Sequence, residues 1–329
     1  MSADPPAAAR ACLEVRDLQI LYRTAHGPHA AAAGVSLEVA EGECVGIVGE
    51  SGSGKSQTLL ASLGLLSRAA QVSGSVRFRG EQLLGADAAC LNRIRGRYIG
   101  MVFQDPMTSL SPHLRIGTQL SEVLRTHRGM ASGAAREAAV RMLERVHIDA
   151  APLRLRQFPH ELSGGMRQRV MIAMACLCGP ALLIADEPTT ALDATVQAQV
   201  LEVLRALRAE LGMALVLITH DFAVLAGMAD RVLVMYAGRI VEAAATRELL
   251  VQPLHPYSAG LLDCVPRVDA DPRSRLPSIE GQPPTAGPAA PGCAFAPRCR
   301  RASQQCLTSR PALRVVREGR AVACHHPHE

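Results

Sequence analysis

Three groups of residues in this 329-residue chain are of the right type and spacing to do chemistry. Gly49-Glu50-Ser51-Gly52-Ser53-Gly54-Lys55-Ser56 fits the pattern G-x-x-x-x-G-K-[ST]. Its glycines let backbone N–H groups and a helix N-terminus turn toward polyphosphate oxygens. Lys55 then reaches the β and γ phosphates, and the Ser56 hydroxyl ligates Mg2+. Leu182-Leu-Ile-Ala-Asp186-Glu187 is an apolar run that ends in two carboxylates. Asp186 suits Mg2+, which takes few protein carboxylates beside phosphate and water. Glu187 suits the polarisation of a water for in-line attack on a γ-phosphate. Between these groups, Leu162-Ser163-Gly164-Gly165-Met166 opens an apolar segment with a capping serine and two glycines, a second helix start at which N–H donors can meet an anion.

These residues need strands and helices to hold them. Short apolar runs at 43–48, 99–103, 181–185, 214–219 and 231–235 read as strands. They alternate with helix-period segments from about Leu13 to Leu262, which predicts an α/β body over 11–262. Strand 43–48 leads into the glycine loop, and a helix over 57–66 follows it; a second helix is predicted over 167–177. Between Gln104 and Leu162 the strand signal disappears, and Ala139, Leu143 and Val146 fall at helical spacing, so a helical subdomain is expected at about 105–175. Eight prolines between Pro266 and Pro297 mark a linker or extended arm over 263–292. A short end, 293–329, remains. No internal repeat is present, so the chain holds one such body.

Composition narrows the class. Forty-eight per cent apolar and 20% charged residues are ordinary for a globular protein. Mean hydropathy is +0.13, yet the longest apolar stretch, Val170 to Ala185, is broken by Gly179-Pro180. That falls short of the roughly 18 residues a spanning helix needs. The N-terminus lacks the basic start and apolar segment of a secretory signal, so a reducing cytosol is expected. The net charge of +5 resides in 291–329, where seven arginines face two glutamates.

With Val102-Phe103-Gln104-Asp105-Pro106, Ala191-Leu192-Asp193 and Thr219-His220-Asp221 added in order to the three groups above, the chain resembles the ATP-binding subunits of ABC transporters. The resemblance implies a P-loop cassette with a mixed sheet core and a helical subdomain. Gly49 to Ser56, with Gln57, is similar to the Walker A motif, Leu162 to Met166 to the signature, and Leu182 to Asp186 to Walker B. Gln104 looks like the Q-loop glutamine and joins Ser56 and Asp186 around Mg2+; Asp193 looks like the D-loop aspartate. His220 looks like the switch histidine that orients the γ-phosphate and the water near Glu187. Tyr22 lies where the family often stacks an aromatic on adenine, although an ordinary half-buried strand tyrosine fits as well. Two such subunits pair head to tail, each Ser163-Gly164-Gly165 capping the nucleotide held by its partner's Lys55. Two membrane permeases and an extracytoplasmic solute-binding protein complete the assembly, with the ATP-binding subunit peripheral on the cytoplasmic face of the membrane.

The stretches Phe103 to Pro112, His255-Pro-Tyr-Ser-Ala-Gly-Leu-Leu262 and Gly292-Cys-Ala-Phe-Ala-Pro-Arg-Cys299 are similar to the peptide-importer group, whose features nickel and some antimicrobial-peptide uptake systems share. Soluble ABC ATPases of nucleic-acid metabolism typically carry a coiled coil, a zinc insertion or a second cassette. Nine aromatics, no Trp and no basic-aromatic interleaving also disfavour nucleic acid as a partner. An ATP-using iron–sulfur redox protein is disfavoured because no flavin or nicotinamide loop is found.

Of ten cysteines, Cys12, Cys44, Cys90, Cys176, Cys178 and Cys264 are scattered among apolar residues and are expected to be small buried hydrophobes. Cys293, Cys299, Cys306 and Cys324 crowd a segment too poor in apolar residues to fold on packing alone, which points to a metal staple. Zinc usually brings cysteines paired at shorter spacing, whereas an all-Cys iron–sulfur site tolerates irregular spacing. A 4Fe–4S cluster is therefore favoured, with zinc, using His325 or His326, and a metal-free or disulfide state as alternatives. Without a ligand these thiols are expected to be exposed and oxidisable.

Overall fold

A computed structural model describes residues 11–24, 27–104, 109–190, 192–265, 278–283 and 291–328. Asp105 to Thr108, Ala191 and most of the proline-rich arm lie outside the described residues. The strands are β1 (Ala11–Thr24), β2 (Gly27–Ala40), β3 (Cys44–Val48), β4 (Ala70–Phe78), β5 (Glu81–Gln82), β6 (Ile99–Val102), β7 (Leu182–Asp186), β8 (Ala214–Ile218), β9 (Arg231–Tyr236), β10 (Arg239–Ala245), β11 (Arg314–Arg317) and β12 (Arg320–Val322). The helices are α1 (Lys55–Ser62), α2 (Ala88–Ile94), α3 (Ile116–Arg128), α4 (Ser132–Arg145), α5 (Ala151–Arg154), α6 (Gly164–Cys176), α7 (Ala194–Leu211), α8 (Phe222–Met228), α9 (Thr246–Val251), α10 (Pro256–Asp263) and α11 (Gln304–Thr308).

The chain forms two compact units, the first from Met1–Glu14, Leu37–Glu43 and Val76–Val216, the second from Val15–Ser36, Cys44–Ser75 and Leu217–Glu329. In the first, β6 and β7 run parallel with Ile99 opposite Leu182 and Val102 opposite Ala185. Every residue of β7 is buried, as a strand in a parallel array covered on both faces should be. Helix α6 is apolar round most of its circumference and buries Val170, Met171, Ile172, Ala173 and Cys176; it packs on β6, α4 and α7. It begins three residues before the predicted start, because Ser163 caps it and the glycines form its first turn.

In the second unit the strand order is β11-β12-β10-β9-β3. β3 pairs with β9 in parallel, whereas β9 and β10 form an antiparallel hairpin, so the sheet is mixed. The hairpin turns through Ala237 and Gly238, at φ 47° and 74°, the left-handed pair of a two-residue turn that matches strand twist. Val48, Leu225, Val234, Tyr236, Tyr257 and Phe295 share one core. The segment expected to stand apart at 293–329 contributes Phe295 to that core and β12 to the edge of β10. Of its few apolar groups, Phe295, Ala296, Val322 and Ala323 are buried, whereas Leu307, Leu313, Val315 and Val316 are exposed. Glu242 on β10 is fully buried and faces Arg320 of β12 at 3.6 Å; the backbone N–H groups of Leu254 and His255 donate to its two oxygens.

Candidate functional site

In the second unit β3 delivers the chain into the glycine loop, and α1 leaves it. Gly54 is the N-cap residue of α1 at φ 99°, where a Cβ would also collide with the Ala31 carbonyl; only glycine fits. No side chain caps α1, which suits a helix start that is to receive an external anion. Lys55 opens α1 and is 6% exposed. Its Nζ donates to the carbonyls of Gly49 at 2.7 Å and Glu50 at 2.9 Å, with Ser53 Oγ at 3.4 Å. Lys55 is the only lysine in the sequence, a signal that the motif alone does not disclose. Gly238 N donates to Ser53 O at 2.9 Å, tying the loop to the β9–β10 turn.

Tyr22, on β1, is half-buried, and its hydroxyl donates to Gln57 Oε1 at 2.5 Å. His220 is exposed in the turn between β8 and α8. The turn is held on both sides: Asp221 N donates to Thr219 Oγ1 at 3.0 Å, and the Asp221 carboxylate caps α8 by accepting from Ala223 N at 2.8 Å.

In the first unit β7 carries Asp186, which is buried, and the chain then turns at Glu187 with φ 47°. A non-glycine residue in the left-handed region stores strain that functional sites commonly retain. Glu187 Oε2 accepts from Gln104 Nε2 at 3.1 Å and from Thr190 Oγ1 at 2.8 Å. Glu187 and Gln104, both expected at the site, are thus in direct contact, and Thr190 is a partner that no motif singled out. Ser163 Oγ accepts from Met166 N at 3.3 Å as the N-cap of α6. A Cβ on Gly165 would collide with Val196 Cγ1, so this glycine lets α6 approach α7. Asp193 caps α7 by accepting from Thr195 N at 3.1 Å and Val196 N at 3.0 Å. Gly165 and Asp193 therefore meet at Val196.

Residues 32–190 match the family model described as ABC transporter, and 241–306 match the one described as oligopeptide/dipeptide transporter, C-terminal region. Over 324 residues the chain is 49% identical to the oligopeptide transport ATP-binding protein OppD of Salmonella typhimurium, covering 98% of this chain and 96% of that one. The chain belongs to the ABC transporter ATP-binding proteins. It is 50% identical over 321 residues to OppD of Escherichia coli, covering 98% of this chain and 95% of that one. With the oligopeptide transport ATP-binding protein AppD of Bacillus subtilis it shares 45% identity over 314 residues, 95% of each chain. Among solved structures, the dimeric post-hydrolysis state of the ATP-binding cassette MJ0796 bound to ADP and Pi matches at 30% identity and TM-score 0.65, covering 71% of this chain and 99% of that one. The cassette cbiO1 from Clostridium perfringens matches at 27% and 0.62, covering 74% and 91%. The fold is the P-loop ATPase cassette, with its mixed sheet and helices, and the chain is an ABC ATPase. Among the described residues no helix is long and apolar enough to cross a membrane.

The cysteines of the cassette divide differently from expectation. Cys12, Cys44, Cys176 and Cys178 are buried, but Cys90 and Cys264 are only half-buried. Cys90 Sγ lies 3.2 Å from Glu81 Oε1 at the surface. The four C-terminal thiols are not exposed: Cys306 is buried and the others half-buried. All four line one small cavity, together with His325 and His326. Burial pushes the thiols of Cys293, Cys299 and Cys324 upward, while backbone N–H groups pull them down. Arg301 N reaches Cys299 Sγ at 3.4 Å, and His326 N reaches Cys324 Sγ at 3.3 Å. Even so, among the described residues no three His, Cys, Asp or Glu side chains converge as a ready metal-binding group. The metal-binding extension expected from cysteine spacing is therefore not preformed.

Proposed function

We propose that the chain is the energising subunit of an importer of di- and oligopeptides, peripheral on the cytoplasmic face of the membrane and paired there with a second ATP-binding subunit and two permeases served by an extracytoplasmic solute-binding protein. The observation that carries this reading is similarity to oligopeptide transport ATP-binding proteins over 98% of the chain, extending through the C-terminal region at 241–306.

In this reading the loop Gly49–Ser56 holds the polyphosphate of ATP, the uncapped start of α1 and Lys55 supplying N–H donors and charge. Ser56, Gln104 and Asp186 would hold Mg2+, whose hard oxygen chemistry their side chains match. Glu187 takes a proton from water as that water's oxygen bonds to the γ-phosphorus and the bond to the β–γ bridging oxygen breaks, leaving ADP and phosphate. The Gln104 and Thr190 donors to Glu187 fix its carboxylate, and His220 orients the γ-phosphate. Ser163-Gly164-Gly165 caps ATP in the partner subunit, with Asp193 alongside, and Tyr22 lies against adenine.

In the same reading Cys293, Cys299, Cys306 and Cys324 would hold a 4Fe–4S cluster. Its support is the shared cavity and the N–H groups directed at sulfur, which stabilise thiolate ligands of such clusters. Bound there, such a cluster would cross-link a segment with little core.

Deleting the gene and measuring uptake of labelled di- and oligopeptides and of nickel tests the substrate class. Lost peptide uptake with intact nickel uptake is expected; the reverse overturns the peptide assignment.

A further inference from the structure

Glu50 is the only acidic residue in the loop 49–56. A carboxylate beside a polyphosphate site opposes binding unless it is neutralised. Glu50 is held at both ends. Its backbone N–H donates to the hydroxyl of Tyr257 at 2.8 Å, and Tyr257 is fully buried on α10. Its carboxylate receives both arms of the Arg298 guanidinium, Nη1 to Oε2 at 2.7 Å and Nη2 to Oε1 at 2.9 Å. This planar two-point pairing fixes direction as well as charge.

Arg298 is built in. Its side chain is 4% exposed, its Nε donates to Glu280 O at 3.0 Å and its Nη2 to Ile279 O at 3.1 Å. The guanidinium lies 5.9 Å from the centre of the Tyr236 ring. Tyr236, Tyr257 and Phe295 pack against one another with ring centres 4.6 to 5.4 Å apart, a rigid base beneath the pair. Arg298 ends the turn Ala296–Arg298, and the next residue is Cys299, one of the cavity thiols. The arginine that closes on the phosphate loop therefore belongs to the four-thiol segment.

We propose that Arg298 is a positioning residue of the ATP site: by pairing with Glu50 it neutralises the one carboxylate of the phosphate loop and anchors that loop to the four-thiol segment, making ATP affinity depend on how that segment is folded. The proposal rests on the reading of Gly49–Ser56 as the ATP loop, which Lys55→Ala tests separately: that variant must lose ATP binding whatever Arg298 does.

The test uses the full-length chain for binding of a fluorescent ATP analogue and the reconstituted transporter for kcat and KM. Arg298→Gln should weaken ATP binding roughly tenfold, the scale of one uncompensated charge at short range, and should raise KM by a larger factor than it lowers kcat. Adding Glu50→Gln to Arg298→Gln should recover most of that loss, because the repelling charge is gone; a tail that had merely unfolded would not be rescued this way. Arg298→Lys, which keeps charge without the two-point geometry, should fall between, and it carries the test if Arg298→Gln does not fold. ATP affinity equal to the unaltered chain in the single variants, or no recovery in the double variant, overturns the proposal. If Lys55→Ala still binds ATP, the reading of the loop fails instead.

Discussion

At the scale of single residues, phosphate chemistry leaves the plainest mark on the sequence because it requires contiguous loops. Gly49 to Ser56, Asp186-Glu187 and Ser163-Gly164-Gly165 can be read from spacing alone. Lys55 is also experimentally isolated. As the sole lysine, it is the one side-chain target of an amine-directed acylating reagent. Labelling of the Lys55 peptide should fall when ATP and Mg2+ are present, as followed by mass spectrometry; labelling unchanged by nucleotide would separate Lys55 from the phosphates. The partners of these residues were not legible in the same way. Thr190 beside Glu187 is hidden in a turn, while Tyr257 and Arg298, which grip Glu50, lie 207 and 248 residues away along the chain. No local pattern encodes a contact across such a separation.

At the scale of elements, the buried strands β3, β6, β7, β8 and β9 are apolar runs and were legible to within a residue or two. β10 was not, because Glu242 interrupts it. That carboxylate is tolerated in the sheet only because Arg320 and two backbone N–H groups meet it. β2 was missed because its Ala-rich stretch has little strand preference of its own. Next to Glu242, His255 makes a testable joint between elements. Its Nδ1 accepts from Tyr257 N at 3.0 Å, capping α10, and burial, with a smaller effect from His328, lowers its pKa from 6.5 to about 4. Between these values the unfolded chain binds a proton that the folded chain refuses, so this contribution is fully present above pH 6.5 and is lost as pH falls toward 4. A shift of this size corresponds to about 3 kcal/mol. His255→Asn, which can still cap the helix, should flatten the decline in stability between pH 6.5 and pH 4 in denaturant titrations. An unchanged slope would mean that His255 is already protonated in the fold.

At the scale of the whole molecule, the order of motifs identified the cassette. Each compact unit is assembled from three stretches, and the C-terminal end, weak in core residues, borrows the core around Tyr236 and Tyr257. Composition registered that weakness without revealing its remedy. The thiol cavity belongs to this scale, because the residues that line it are spread from Cys293 to Cys324. Protein purified without oxygen should be brown, absorb broadly near 400 nm and hold about four iron and four sulfide per chain, as 4Fe–4S sites do. Colourless protein with stoichiometric zinc would replace the cluster with a zinc site. The central claim, that ATP hydrolysed by this chain drives peptide import, is tested most directly by peptide accumulation in proteoliposomes holding the complete transporter, with the unaltered chain compared with Glu187→Gln. The account predicts ATP-dependent accumulation that falls by roughly 10²- to 10⁴-fold in the variant, the usual worth of a positioned base, while ATP remains bound. Accumulation undiminished by Glu187→Gln would contradict it.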